Sequence, residues 1–575
     1  MKQSKLAVFD IETTEWTNLK VISFFDGDEY IEVQTVSAFL DIVCAAKYRQ
    51  WHLYAHYGGR FDFLFILEEL CTRFPGLEII DAGSRIIQIK CGKGKNNLYF
   101  NDSYAILPMS LAKLTHAFDV KHKKLEFDVI ESADINSVKG KQYRKHDCLG
   151  LYECLVKFKK WGLHKDNLKI TLASQSLFIF KNHFLQGDMV QLSEKDETFV
   201  RGCYYGGRCE IFKMQGKNLN YYDINSLYPF VMCEKMPTGR ATRTKTYKRS
   251  KIGFYTATVH IPRTVHIPPI PTVIDGKLIF PVGTFVANIS NKDIETLDKI
   301  GAQYTIHEGI YWRTSDFLFN NYINELYTIK EQAQQGTVDY VIAKLEMNSL
   351  YGKFGMRRER EQVVYCDNLK TALMKKLTPY YEDLGLYKKD VISENKYIMP
   401  HYSAYITSLA RNYLYNEMLK VGLANIYYCD TDSLIVDKEI KTSEKLGDWK
   451  LEAKIKKGVF LQPKAYALQK YDNKEIIKAK GLRFNDDNIT LKDYELVLKT
   501  NRLDIIRAHN VHILGYKENL NINKTLKINK KLMEKKLKNA YNKRIIKGNE
   551  TEPILLKGEE KVPQPKQKRK LKKRR

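Results

Sequence analysis

"NIYYCDTDSLIV", residues 425–436, sets Asp430 and Asp432 one residue apart between two apolar runs rich in β-branched residues. The runs read as the strands of a hairpin. Period-2 geometry turns residues i and i+2 to the same side. Both carboxylates then face one spot and repel each other unless positive charge lies between them. Two readings stay open on this segment alone. Asp and Ser favour solvated turns because their side chains bond the local backbone. A hard divalent cation such as Mg²⁺ takes one or two carboxylates and leaves room for phosphate oxygens.

The rest of the chain bears on that choice. At 575 residues it exceeds what one core can serve, so several domains are expected. Its formal charge of +27 attracts polyanions over long range and favours a nucleic-acid partner. Ten cysteines contain no CxxC pair and no zinc-ligand spacing, which reads as reduced thiols of an intracellular protein. No apolar run is long enough to cross a membrane. "MKQSKLAVFDIETT" meets acidic residues too early for a signal or transit peptide. No Gly-Lys pair is followed by Ser or Thr as a Walker A loop requires, and "CGKGKNN" (91–97) is a poor match to GxGxxG, so neither a P-loop motor nor a dinucleotide-binding enzyme is supported.

Along the chain, the first 165 residues alternate short apolar runs with helical patterns, an α/β signature. Within them "LAVFDIETT" reads as a buried strand with Asp10 and Glu12 on one face, and "YAHYGGRFDFLFIL" sets Asp62 before an apolar run. "YRKHDCLGLYECL" places Tyr143 and Asp147 at i and i+4, one face of a helix. Four carboxylates in such a domain could hold two divalent ions about 4 Å apart, the arrangement that activates water and stabilises the leaving oxygen in phosphodiester hydrolysis. Four unrelated surface acids would give the same spacing.

Farther on, "YYDINSLYP" (221–229) ends an apolar strand with Asp223, five residues before Tyr228. "KLEMNSLYGKFG" (344–355) places Lys344, Asn348 and Tyr351 on one stripe of a helix. Core packing with a snorkelling lysine is the plain reading. A cation, an amide and a phenol together suit a nucleoside triphosphate better, the Lys meeting phosphate as a point charge. Lys330, on the preceding helical segment, could add a second phosphate contact. Residues 236–320 look strand-rich, 358–397 form a charged insertion, 398–421 a helix, and the end, "KVPQPKQKRKLKKRR", is a basic tail.

Taken in order, these segments resemble family B DNA polymerases. DIE, GGRFD and YxxxD are similar to the three exonuclease motifs of that family; DINSLYP, KLEMNSLYGKFG and YCDTDS are similar to its polymerase motifs A, B and C. YYGG (204–207) and KAY (464–466) look like its YxGG and KxY elements, so the resemblance spans residues 8–466. Short length, with long insertions after motif A and between B and C, resembles the protein-primed subgroup. Its members copy linear genomes of small phages, adenoviruses and linear plasmids from a terminal-protein hydroxyl.

The resemblance implies a multidomain α/β architecture. An RNase H-like 3′–5′ exonuclease domain (1–165) precedes a right-hand polymerase of palm, fingers and thumb. The palm starts at 166–235 with motif A, the fingers with motif B span 321–357, and 398–485 carry motif C and KxY. The insertions 236–320 and 358–397 would be terminal-protein regions 1 and 2, and 486–575 the thumb and basic tail. Asp223 and Asp432, with Asp430 beside them, would hold two Mg²⁺ or Mn²⁺ ions. Tyr228 would bar a 2′-hydroxyl, and Lys330, Lys344, Asn348 and Tyr351 would bind the incoming dNTP. Tyr204, Gly206, Gly207, Lys353, Lys464 and Tyr466 would touch template or primer. In the exonuclease, Asp10, Glu12, Asp62 and Asp147 would hold two further ions, Tyr143 and Lys124 would assist, and Thr13, Phe61 and Ser103 would grip the frayed 3′ end. One position departs from the family: Tyr57 stands where the second exonuclease motif usually carries Asn.

The expected protein is a monomer that replicates a linear genome by protein priming with strand displacement. Its partners would be template, primer and a terminal protein, with no membrane, in the host cytoplasm if viral. The alternatives are an RNA- or DNA-primed family B polymerase and a non-catalytic DNA-binding protein on a polymerase scaffold.

Overall fold

The computed structural model describes residues 5–125, 136–479, 489–500, 510–533 and 537–558. The basic tail 561–575 lies outside the described residues.

"LAVFDIETT" forms the strand Leu6–Thr14, with Ala7 and Phe9 in an apolar cluster beneath it. It pairs antiparallel with Asn18–Phe25 and parallel with His52–Ala55, which in turn pairs parallel with Leu98–Asp102. The helices Asp62–Arg73 and Val138–Lys160 cover this sheet. The charged insertion does not stand apart from it. Its strands Glu359–Tyr365, Thr378–Tyr381 and Leu386–Ile392 continue the sheet past Glu78–Ala82, with Val363 opposite Ile79, giving ten strands. Burying Val363 and Leu386 in the first domain's core drives that docking.

A second, seven-stranded antiparallel sheet carries the hairpin of residues 426–436. Ser433–Val436 lies beside Gln215–Ile224, with Ser433 opposite Asp223, so the sheet register brings the two acidic segments together at one end of the strands. Helix Pro400–Val421 packs behind it, begun by a proline in the first turn where no backbone N–H is needed. Two further helices, Asn320–Gln332 and Val338–Phe354, lean on each other, and the second also packs on Leu172–Ile179.

Residues 236–316 build the third main sheet, from Met236–Thr244, Gly253–Ile261, Val282–Ser290 and Gln303–Asp316. Its fifth strand, Leu555–Leu556, comes from the far end of the described chain and pairs parallel with Val282–Ser290. The C-terminal portion is thus split. Lys517 pairs with Asp81 at 2.5 Å, and Leu520 and Leu526 join the first domain's core. Tyr541 and Thr551 instead lie against Ile211 and Phe212 of the second sheet. Among the described residues no helix is long and apolar enough to cross a membrane.

Candidate active sites

The first site gathers on strand Leu6–Thr14. Asp10, Glu12 and Asp147 each offer an oxygen within 4.8 Å of the others, and among the described residues this is the one such group. Asp62 starts its helix, and its Oδ1 accepts the backbone N–H of Ile11 at 3.0 Å, which holds it beside Asp10. Lys124 Nζ donates to the Tyr143 hydroxyl at 2.7 Å and to the Asp147 carboxylate. Its neighbour Lys123 turns outward to the exposed Asp119 at 2.7 Å.

Electrostatics follow from crowding. Burial, then the charges of Asp10 and Asp147, push Glu12 up to about 8. Burial and Asp10 push Asp147 up to about 7 despite Lys124. Asp10 is raised by burial, and Asp62 by burial together with Asp10. Burial opposes the charge on Lys124, yet Asp147 and Tyr143 hold its pKa above the ordinary lysine value. Three clustered carboxylates that resist ionisation, with Asp62 beside Asp10, fit a hard divalent cation, which would discharge the repulsion.

The adjoining wall contains Tyr57 in the left-handed region at φ 65°, a conformation that asparagine adopts more readily than tyrosine. Its ring meets Tyr104 edge-on at 4.9 Å. The following glycines are required by space, because a Cβ at Gly59 would fall 1.6 Å from the carbonyl oxygen of Ile86. Asp102 holds this turn. It accepts backbone N–H groups of Tyr104, Gly59 and Tyr57 and faces Arg85 at 3.4 Å. Phe61 and Thr13 are half-buried beside the acids. Ser103 is fully buried, donating to Ala55 O at 3.2 Å and facing His56 Nδ1 at 2.9 Å, so it sits behind the surface it was expected to form.

The second site lies at one end of the central strands of the seven-stranded sheet. Asp430 ends its strand and Asp432 occupies the turn, with Thr431 between them at φ 62°. That left-handed residue ends the period-2 geometry expected from sequence, and the two aspartates take different partners. Lys464 Nζ donates to both oxygens of Asp430 at 2.8 Å. The Ile224 N–H donates to the carbonyl of Asp432 at 2.8 Å, seating the turn against the end of the Asp223 strand. Burial, then Asp432 and Glu452, push Asp223 up to about 7; burial and Asp430 push Asp432 up to about 6.

Over these acids stand the helices. On Val338–Phe354 the stripe Lys344, Asn348 faces outward and Tyr351 is half-buried. The Tyr351 ring stacks on Tyr228 at 4.6 Å and 9°. Lys330 loses basicity first through burial and then through the charges of Lys344 and Lys450, and those two lysines also face Asp223. Tyr204 lies beside Ser403, whose hydroxyl donates to Tyr351 O at 2.6 Å. Gly206 lies open, and a Cβ on Gly207 would meet Thr431 at 2.7 Å, so the loop abuts the acidic hairpin. Lys353 reaches back to the Ser174 hydroxyl at 3.0 Å. Tyr466 is buried against Tyr428, a brace beneath the sheet instead of an exposed contact.

Residues 42–139 and 132–437 match the family model described as DNA polymerase type B, organellar and viral. The chain belongs to that family. Among its relatives are a probable DNA polymerase of Ascobolus immersus, 30% identical over 83% of this chain and 46% of its own length. A probable DNA polymerase of Neurospora intermedia is 27% identical over 82% and 57%, and a DNA-directed DNA polymerase of Enterobacteria phage PRD1 is 26% identical over 83% and 85%. The chain spans about half the length of the first two. In fold it is similar to Phi29 DNA polymerase, with a TM-score of 0.71 at 20% identity over 89% of this chain and 97% of that one. The family's architecture, an exonuclease domain joined to palm, fingers and thumb, is the fold seen here.

Sequence reasoning missed three contributors to these sites. Arg411 is buried in helix Pro400–Val421, and its Nη1 donates to the carbonyls of Tyr205 and Gly206 at 2.9 and 3.2 Å. Glu452 adds negative charge beside Asp223. Asp102 organises the Gly-Gly turn. The one local sign was a charged residue inside an apolar run, as in "TSLARNYL".

Proposed function

We propose that this chain is a template-directed DNA polymerase with a separate 3′–5′ exonuclease, and that it begins synthesis on a protein hydroxyl. The observation that carries the polymerase reading is the convergence, at one end of two neighbouring central strands, of Asp223 and Asp432 with Lys344, with Lys330 near Lys344, and with the Tyr228–Tyr351 stack. The family relationship supports the same reading, as does the likeness in fold to Phi29 DNA polymerase, solved in complex with primer-template DNA and incoming nucleotide substrates.

In this reading Lys330 and Lys344 place positive charge against the triphosphate, and Asn348 lies one turn along the same helix face. The stacked rings of Tyr228 and Tyr351 form a floor under the sugar that leaves no room for a 2′-hydroxyl. Asp223 and Asp432 would hold two Mg²⁺ or Mn²⁺ ions, which when bound supply the charge that lowers the barrier to in-line displacement at the α-phosphate. Asp430, tied to Lys464, keeps the hairpin seated. Tyr204, Gly206, Gly207 and Lys353 line the path of primer and template.

In the exonuclease, Asp10, Glu12, Asp62 and Asp147 are the donor set for a second pair of ions. Tyr143, fixed by Lys124, orients the water that attacks the terminal phosphodiester. Thr13 and Phe61 hold the frayed strand, with Ser103 shaping their wall. The sheet of residues 236–316 and the strands 359–392 are the regions that would receive the priming protein.

Primer extension by Asp432→Asn tests the assignment. Extension falls by at least a thousandfold while single-strand degradation persists, and extension within tenfold of the parent protein would refute it. Transfer of a labelled dNMP to a candidate terminal protein, blocked by the same substitution, tests the priming step.

A further inference from the structure

Glu346 lies between Lys344 and Asn348 on the helix Val338–Phe354, but its side chain enters the opposite, fully buried face. Its Oε1 stands 3.0 Å from His164 Nε2, and its Oε2 accepts the Ser176 hydroxyl at 2.5 Å. His164 Nδ1 lies 2.5 Å from the Phe158 carbonyl, an acceptor, so Nδ1 carries a proton and one further proton sits between Nε2 and Glu346. All three side chains are excluded from solvent. His164 belongs to the turn Gly162–His164 that leaves the first domain, and Ser176 to the helix Leu172–Ile179. From the neighbouring helix Asn320–Gln332, the Tyr322 hydroxyl donates to the backbone carbonyl of Glu346 at 2.8 Å. Around this cluster, Trp161 Nε1 donates to Asp339 at 2.8 Å, and Ile342 packs in one apolar cluster with Leu155 and Phe158.

A buried carboxylate is costly unless it is fully bonded, and a well-packed apolar group of equal size often stabilises as well or better. A directional bond supplies what packing cannot, a single rotation of the helix about its axis. That rotation matters here, because Lys344 and Asn348 project from the far side of the same turn. With side chains at roughly 5 Å from a helix axis, a turn of about 10° moves their tips by about 1 Å. A misplacement of that size can cost up to about a hundredfold in a positioned reaction.

We propose that Glu346, His164 and Ser176 form a positioning lock through which the first domain's exit segment sets the rotation of the nucleotide-binding helix, and with it the affinity for the incoming dNTP. The inference rests on the polymerase reading above. His164 is the informative residue, since it lies on the connecting segment and not on the helix that carries Lys344 and Asn348.

Steady-state incorporation of one dNTP on a primed template tests the lock. The parent protein must first extend the primer; failure there overturns the polymerase reading and leaves the lock to be judged by hydrogen exchange of residues 344–351, which His164→Leu should accelerate. With extension in hand, His164→Leu raises KM for dNTP about tenfold with kcat within threefold, and single-strand degradation is unchanged. His164→Gln, which keeps a donor near the position of Nε2, returns KM to within twofold. The paired variant His164→Leu with Glu346→Leu removes the buried charge and recovers thermal stability, yet KM stays raised. A parental KM in that paired variant, or a failure of His164→Gln to restore KM, would overturn the lock.

Discussion

Replacing Glu12 with Gln removes one of the strongly resisted negative charges in the first acidic site, and its effect on stability has a calculable pH dependence. In the folded chain Glu12 titrates at about 8 against an ordinary value of 4.5. Between those values the folded state binds the proton more tightly than the unfolded state, so stability is fully present below pH 4.5 and is lost as pH rises through 8. In chelator the loss at pH 8 is about 4 kcal/mol, and at pH 5 about 1 kcal/mol. Glu12→Gln cannot ionise and escapes this loss. Relaxation of Asp10 and Asp147 once the charge is gone shares part of the gain, leaving an expected stabilisation of about 2–4 kcal/mol at pH 8. For a domain of about 165 residues that is on the order of 5–15 °C in its melting transition. Scanning calorimetry in chelator at pH 5 and pH 8 reads it directly. Saturating Mg²⁺ should raise the parent's transition more at pH 8 than at pH 5 and raise the variant's less. An equal gain at both pH values, or a destabilised variant at pH 8, would refute the repulsion argument.

Three further outcomes are expected, two from geometry and one from the charge of the C-terminal sequence. Tyr57→Asn places a residue tolerant of the left-handed region at φ 65°, so it should stabilise the first domain by about 1 kcal/mol and raise single-strand degradation; unchanged degradation would remove Tyr57 from the strand grip. Arg411→Leu leaves the carbonyls of Tyr205 and Gly206 without their donor, and about 2–3 kcal/mol should be lost from primer-template binding while single-strand degradation is kept, as measured by gel shift and by release of labelled dNMP. Deleting residues 561–575 should weaken DNA binding and flatten its salt dependence by about 0.9 for each duplex phosphate no longer neutralised; an unchanged slope with unchanged product length would show the tail idle.

The acidic strands, the Lys344–Asn348–Tyr351 stripe and the paired glycines were legible because each is a local pattern whose period or spacing carries its own geometry. What sequence could not reveal is non-local. Asp430 and Asp432 look equivalent at i and i+2, but one left-handed residue, Thr431, sends the first to Lys464 and seats the second beside Asp223. The strands of 359–392 read as an insertion, and only pairing with Glu78–Ala82 makes them an extension of the first sheet. Ser103 and Tyr466 match motif positions, yet burial withdraws both from the surface. Arg411 and Glu346 sit in runs that read as core, and a buried charge is recognised only when its partners, distant in sequence, are in place.

The pairing of Leu555–Leu556 with Val282–Ser290, and of Thr551 with Phe212, bears on how the protein is born. A ribosome delivers the Asp223 strand early, but the strap that closes over its sheet emerges some 330 residues later, roughly 20–70 s at ordinary elongation rates. Until then the insertion's sheet has an open edge along Val282 and Gly283, the kind of surface that recruits stray strands. Premature stop codons anywhere before residue 541 should therefore yield aggregating products and not shorter working enzymes, and slowing translation should favour chaperone capture of the nascent chain.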